Sequence, residues 1–407
     1  MFQLNKCLAL LCFLLIGFTN AFSMSAPQSD TVAQLSPIIP GDTILQTAVL
    51  QAAINACNAS GGGKVIVLPG TYAIGPITMK SNVNLYLDSG ATLLASTNMS
   101  DWTVGGSLLD LIGGKNLQNV SITGKGTING SGLPWWNAYN ANNDLTRPRL
   151  IYLSGITNFT VDGITLVNSP SFHIVPYQCV NVFINNVTIT AASTSPNTDG
   201  IDPSDCKNVF ITNCTIDNGD DDIAIKSGRI NGTLALNYSQ DIVVSNCTFL
   251  HGHGVSIGSE TDDGVRNLSV TGCTFNGTTN GIRLKSESGL GGLLQNLYYS
   301  NITMKNVTNP IIINLAYSTS TSYPTDIPAV NGFYINNLTI TGAANAGSLV
   351  GLSNSLLQNI NLSNITISAK TGLVITDASG VTLSNYKITV TSGNQIISTN
   401  VTGNRGF

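Results

Sequence analysis

Three adjacent carboxylates, Asp220-Asp221-Asp222, stand in a chain of 407 residues of which only 9% are charged, against about 25% in an ordinary soluble domain. Like charges side by side are unfavourable unless something neutralises or uses them. Around them, between Asn197 and Lys285, lie Asn197-Thr198-Asp199-Gly200-Ile201-Asp202, Gly252-His253-Gly254 and Arg283-Leu284-Lys285. The chain has three histidines, and two of them, His251 and His253, fall in one glycine-containing tetrapeptide.

Cleaving a glycosidic bond needs an acid to protonate the leaving oxygen and a carboxylate to activate water or attack directly. Crowded carboxylates supply both, because mutual repulsion raises one pKa while another stays ionised. Asp199, Asp220 and Asp221 suit that chemistry. Arg283 and Lys285, two apart on a strand, share a face and together suit the carboxylate of an acidic sugar. The plainer readings are calcium binding or a solvated loop for the Asp-rich turn, a simple turn residue for His253, and a solvated pair for Arg283 and Lys285. The reading taken is an acid-base site for cutting a sugar polymer, with no metal and no cofactor.

Such a site needs a scaffold that gathers residues far apart in sequence. With 41 glycines and abundant Asn, Thr, Ser, Ile and Val, the composition favours strands and turns. From Asn158 a nine-residue unit recurs: Asn158–Leu166, Asn181–Ile189, Asn208–Ile216, Asp241–Phe249, Asn267–Phe275, Asn296–Met304, Gly332–Ile340, Asn359–Ile367 and Gly380–Ile388, with a looser copy from Asn119. Slots two, four, seven and nine are mostly apolar, and the Asn or Gly of slot six tolerates the left-handed backbone of a corner. Unit starts are 21 to 36 residues apart, so the extra residues are expected to leave as loops between fixed strands. A unit this short buries its apolar side only by stacking. The expected fold is all-β, a single-stranded right-handed parallel β-helix of about ten coils, with a β-sandwich or propeller as alternatives. A propeller needs about forty residues per blade. Stacking would bring Asp199, the Asp220-Asp221 pair, His253 and Arg283-Lys285 into one cleft from four consecutive coils.

One short helix is expected, over Thr43–Ala56 with Asp42 and Thr43 as N-cap residues, ended by Gly61-Gly62-Gly63 and covering the open end of the solenoid. Residues 1–26 read as a secretory signal: Lys6 precedes an apolar run, Cys7–Phe18, too short to span a bilayer. A membrane anchor is the alternative. Residues 27–407 are then one exported domain. A formal net charge of -4 leaves no basic footprint for nucleic acid. A monomer is expected, with no membrane association after signal removal. Six of the eight cysteines lie beyond the signal, without zinc spacing. Disulfides are permitted in an oxidising compartment, but Cys214, Cys247 and Cys273 all occupy slot seven, which predicts small buried apolar residues. Frequent Asn-X-Ser/Thr triplets follow from the preference of slots six and eight.

Asn197-Thr198-Asp199, Gly219-Asp220-Asp221, Gly252-His253-Gly254 and Arg283-X-Lys285, in that order, resemble the four signature blocks of the polygalacturonases, family 28 of the glycoside hydrolases. The resemblance extends over nearly the whole chain after the signal, through Gly70-Thr71-Tyr72, Gly126–Gly130 with Trp135-Trp136, Arg147-Pro148-Arg149 and Asn168–Ser171. Asn197–Pro203 and Ser256–Glu260 resemble the bacterial secreted members. The resemblance implies hydrolysis of α-1,4-galacturonosyl linkages with inversion. Asp220 would be the general acid, Asp199 and Asp221 would hold the attacking water, and His253 would tune the acid. Arg283 and Lys285 would grip galacturonate beside Tyr317, with Asn197 and Lys226 as further substrate-binding candidates. Asp222 stands where many members carry Cys, and Leu284 where Ile is usual. The added carboxylate is expected to shift its neighbours' pKa. The reading is an endo-acting pectin hydrolase. Its alternatives are exo action, a rhamnogalacturonan or xylogalacturonan hydrolase, a pectate-lyase-like eliminase requiring calcium, and a non-catalytic carbohydrate-binding β-helix.

Overall fold

The computed structural model describes residues 30–36, 44–229, 238–318, 323 and 325–407. The apolar leader and the expected cap residues Asp42 and Thr43 lie outside them.

Each repeat lays its slots onto the matching slots of its neighbours. Slot four forms one unbroken parallel register, Leu85–Ile122–Val161–Ile184–Ile211–Val244–Val270–Tyr299–Ile335–Leu362–Leu383. Slot nine forms a second, from Leu93 through Ile128, Leu166, Ile189, Ile216, Phe249, Phe275, Met304, Ile340 and Ile367 to Ile388. A third face carries Ile112–Ile151–Ile174–Ile201–Ile223–Val255–Ile282–Ile311. All three columns are buried, so the core is a rod enclosed by parallel strands, a parallel β-helix. Each fully buried aliphatic contributes roughly 1.5–3 kcal/mol relative to exposure.

The corners are built as the sequence implies. Slot six is left-handed throughout, for instance Asn186 at φ 52°, Asn213 at φ 56° and Gly272 at φ 67°. Slot one is left-handed too, from Asn158 at φ 63° to Asn359 at φ 54°, which the sequence reading did not anticipate. Slot-one side chains form a ladder. Asn158 donates to Asn119, Asn181 to Asn158 and Asn208 to Asn181, at 2.8, 2.9 and 3.0 Å. The ladder resumes above Asp241, to which Asn267 donates at 2.8 Å.

The first helix, α1 (Thr47–Ala59), starts later than expected. Gln46 precedes it without a side-chain cap bond, and its buried residues Leu50, Ile54 and Cys57 face the strands Gly63–Val67 and Val83–Leu87. A second helix, α2 (Leu133–Ala141), corrects the expectation of one. Burial of its two tryptophans, rather than periodicity, holds it in place. Trp135 packs edge-on against Trp102 at 5.8 Å, and Trp136 Nε1 donates to Ser169 O at 2.9 Å. The six cysteines among the described residues are free and buried, so none of the permitted disulfides forms among them. No helix among the described residues is long and apolar enough to cross a membrane.

Candidate active site

The third face positions the site. Pairing of Ile201 with Ile223, Ile223 with Val255 and Val255 with Ile282 sets Asp199, Asp221 and His253 at equivalent heights on successive coils. Backbone bonds lock that register: Gly200 N donates to Asp221 O at 2.9 Å, and His253 N to Asp220 O at 2.8 Å. Gly252 at φ 89° and Gly254 at φ 72° make the turn that swings His253 toward the acids.

The three acids differ in environment. Asp220 is half-buried; its Oδ1 accepts the Asp221 N–H at 2.8 Å and lies 3.2 Å from His253 Nδ1. Asp221, with only 1% of its side chain exposed, accepts from Lys285 Nζ at 2.8 Å, Arg283 Nη1 at 3.1 Å and Ser256 Oγ at 2.6 Å. Asp199 is buried, and its Oδ1 has no hydrogen-bond partner among the described residues. Burial first, then the charges of Asp202, Asp220 and Asp221, raise the Asp199 carboxyl well above its ordinary value, against the pull of Lys226. Burial pushes Asp220 up as well. The His253 hydrogen bond and charge, the Asp221 N–H and Lys285 outweigh it and hold Asp220 below the usual carboxylate value.

The remaining predicted residues divide. Tyr317 stands over both cations, its ring centroid 5.7 Å from Arg283 Cζ and 5.9 Å from Lys285 Nζ, with 46% of its surface exposed. Asn197, left-handed at φ 50°, places Nδ2 3.4 Å from Asp220 Oδ2. Its Oδ1 accepts from Arg147 Nη2 at 2.6 Å. Lys226 does not reach the acid trio through any hydrogen bond. It sits 3.5 Å from Asp202 Oδ2 and 3.7 Å from Glu260 Oε2, above the Phe172 ring. Burial would lower its pKa, but Asp202, Glu260, Asp199 and Asp221 raise it. His251 pairs with Asp217, away from the trio.

Several supporting residues escaped the sequence reading. His173 is fully buried and lies beneath Asp199. Its backbone N–H donates to Asp199 O at 2.9 Å, its Nδ1 is 3.0 Å from the same oxygen, and its Nε2 faces Ser169 N at 3.4 Å. Burial lowers its pKa to about 4, so the ring is neutral, with Nδ1–H donating. Only its type marked it. Ser256, opposite Arg283 in register, is findable once the strand alignment is known. Asn218 holds the acidic turn, with Nδ2 donating to Asp221 O at 3.1 Å and Oδ1 accepting from Asp220 N at 3.3 Å. Beside Asn197 lies an open pocket of about 160 Å³, lined by Leu145, Arg147, Arg149, Ser171 and Phe172. Arg147 stacks on Tyr139 of α2 at 3.8 Å and donates to Pro170 O and Pro196 O, tying α2 to the segment that carries Asp199.

Comparison with known proteins bears on the family and the fold. An endo-polygalacturonase of Pectobacterium carotovorum subsp. carotovorum is 34% identical over 336 residues, covering 74% of this chain and 81% of the relative. The solved polygalacturonase from Erwinia carotovora ssp. carotovora superposes with a TM-score of 0.73 at 28% identity, covering 94% of this chain and 100% of that one. A hyperthermoactive exopolygalacturonase from Thermotoga maritima superposes with a TM-score of 0.74 at 25% identity, covering 88% and 93%. The family model described as glycosyl hydrolases family 28 matches residues 57–404, and the chain belongs to that family.

Proposed function

We propose that the protein is an exported pectin hydrolase that cleaves α-1,4-galacturonosyl linkages of polygalacturonate by inverting acid-base catalysis, acting within the polymer. The observation that carries the reading is the unequal exposure of the trio: Asp220 is open to the cleft while Asp199 and Asp221 are buried. Asp220 is then the acid that meets the leaving oxygen, and Asp199 with Asp221 hold the water on the other side of the bond. Its proton must arrive against the pull of His253 and Lys285. A substrate uronate brought alongside would raise Asp220 by like-charge repulsion and offset Lys285. Arg283, Lys285 and Tyr317 form the matching wall, two cations and a ring for one acidic sugar. Export rests on the leader at 1–26.

One ligand atom each from Asp220, Asp221 and His253 lies within 4.8 Å of the others, the arrangement a calcium-dependent eliminase would use. Asp221 already binds two cations and a hydroxyl, so a dication would have to displace them. That favours hydrolysis. Endo action is supported by the 34% identity to the Pectobacterium endo-enzyme; exo action is the second reading, on the resemblance to the Thermotoga exo-enzyme.

The test is polygalacturonate with the purified protein and a chelator, following reducing ends, viscosity, ultraviolet absorbance and the anomeric proton of the first product. Reducing ends, rapid viscosity loss, no unsaturated product and a β-anomer are expected. Slow viscosity loss would replace endo by exo action, and a chelator-sensitive ultraviolet signal would replace hydrolysis by elimination. Absence of cleavage on linear and branched pectins would leave a carbohydrate-binding β-helix.

A further inference from the structure

Asp222 is the one carboxylate of the acidic triplet that turns inward. It is fully buried, in the same register as Gly200 and Gly254 on the adjoining coils. A side chain at either glycine would strike backbone: a Cβ on Gly200 would lie 2.4 Å from Asp222 O, and one on Gly254 2.2 Å from Gly281 O. Asp222 thus occupies the only side-chain space of this short column. Its Oδ2 accepts the Gly254 N–H at 2.8 Å. Its Oδ1 lies against Gly252, where an added Cβ would come within 2.9 Å. That Oδ1 has no hydrogen-bond partner among the described residues. The carboxyl touches the His253 turn at both of its left-handed glycines. Burial raises its pKa well above the ordinary value, which favours the neutral acid, a form that adds no charge behind the site.

The consequence for His253 is geometric. Gly254 O already accepts from Asp222 N and Ile223 N, so the turn is pulled toward Asp222 by both its amide and its carbonyl. His253 N donates to Asp220 O, and its ring meets Asp220 Oδ1. We propose that Asp222 is a positioning residue for the reaction: its buried carboxyl seats the Gly252-His253-Gly254 turn and thereby holds His253 against Asp220. This rests on the reading that Asp220 and His253 act on a glycosidic bond. It gives a role to the position where the chain departs from the Cys of many related sequences.

The test compares the full-length protein with Asp222→Ala, Asp222→Val and Asp222→Asn. Ala and Val remove the acceptor, Val while refilling the space; Asn keeps a neutral acceptor of the same shape. Ala and Val should lower kcat on polygalacturonate by roughly 10- to 100-fold with KM little changed, and Asn should restore most of it. A purely structural role would lower the melting temperature without moving His253. The imidazole resonances are therefore compared among the variants. Those of His253 should shift in the Ala and Val variants and stay in Asn, because the ring faces Asp220. In a His253→Ala background, Asp222→Ala should add little, because the two act as one unit.

A folded Asp222→Ala protein with wild-type kcat overturns the proposal, as does lost activity with unmoved His253 resonances, or additive losses in the double variant. If neither Ala nor Val folds, hydrogen exchange at Gly254 decides: a slow amide in wild type and Asn supports the contact, and an exposed-amide rate refutes it. A wild-type protein that cleaves no pectin defeats the functional reading alone, and the resonance and exchange arms still judge the placement.

Discussion

Lys285 Nζ lies 2.8 Å from Asp221 Oδ2, and Arg283 Nη1 lies 3.1 Å from the other oxygen of the same carboxylate. The two cations expected to grip substrate also neutralise a buried acid of the proposed catalytic trio. Lys285→Met should therefore lower kcat as well as raise KM, by about 10²-fold in kcat/KM, the loss expected when one partner of a buried charge pair is truncated. Tyr317→Ala, which leaves the ion pairs intact, should raise KM with kcat nearly unchanged. Steady-state kinetics on polygalacturonate separate the two. A Lys285→Met enzyme with normal kcat would mean that Asp221 does not depend on its cation.

The acid roles predict unequal pH behaviour. Asp220→Asn should lower turnover by roughly 10²–10⁴-fold while substrate still binds. Since His253 holds the Asp220 carboxyl down, His253→Ala should raise that group's pKa and displace the matching limb of the kcat/KM profile to higher pH. A limb displaced to lower pH would contradict the contact.

Stability should fall on the alkaline side. Burial pushes Asp202 and Asp205 each up to about 7. A carboxyl raised in the fold contributes stability that is complete below its unfolded value, near about 4, and lost as pH rises through about 7. Burial raises Asp199 and Asp222 well above the ordinary value too. His173, lowered to about 4, opposes them, since its contribution is lost as pH falls below about 6.5. Four carboxyls outweigh one imidazole, so the melting temperature should drop by a few degrees from pH 5 to pH 8, and Asp205→Asn should flatten the slope. Calorimetry across that range checks it, and a rising curve would refute the burial argument.

The corner ladder makes a separate claim. Asn208 is exposed, left-handed at φ 58°, and donates to Asn181 at 3.0 Å. Asn208→Ala should destabilise by about 1–2 kcal/mol, from strain and the lost bond. Asn208→Gly keeps the backbone at ease and should lose less. Equal melting temperatures for the two would remove the conformational part of the account.

The sequence carried the rod and most of the site for one reason: a repeated slot implies a repeated position in space. Slots four and nine could be followed from Asn158 to Ile388 by eye, and the same logic placed Asp199, Asp220, Asp221, His253, Arg283 and Lys285 together. Residues whose role depends on direction rather than period stayed hidden. Nothing in Asp220-Asp221-Asp222 says that the third side chain turns inward; that follows from the glycines beside it on neighbouring coils. His173 reads as an ordinary core histidine until its carbonyl partner proves to be Asp199. Lys226 entered as a substrate candidate through the resemblance alone, and its partners Asp202 and Glu260, 24 and 34 positions away, left no sign in the sequence. α2 held too few residues for a periodic signal, its fold resting on two tryptophans that meet Trp102 and Ser169 across the chain.

The acids sit in the turns that lead into the third-face strands, whereas most of the variable length lies in the arches that follow those strands. Unit starts differ by 21 to 36 residues, yet the rungs on either side remain in step. An inserted or trimmed arch is absorbed outside the sheet, so the rim of the groove can be rebuilt while the reaction centre is inherited intact. On the proposed function, reaction and cleavage pattern are then separable traits, since remodelling the arches needs no retuning of the acids.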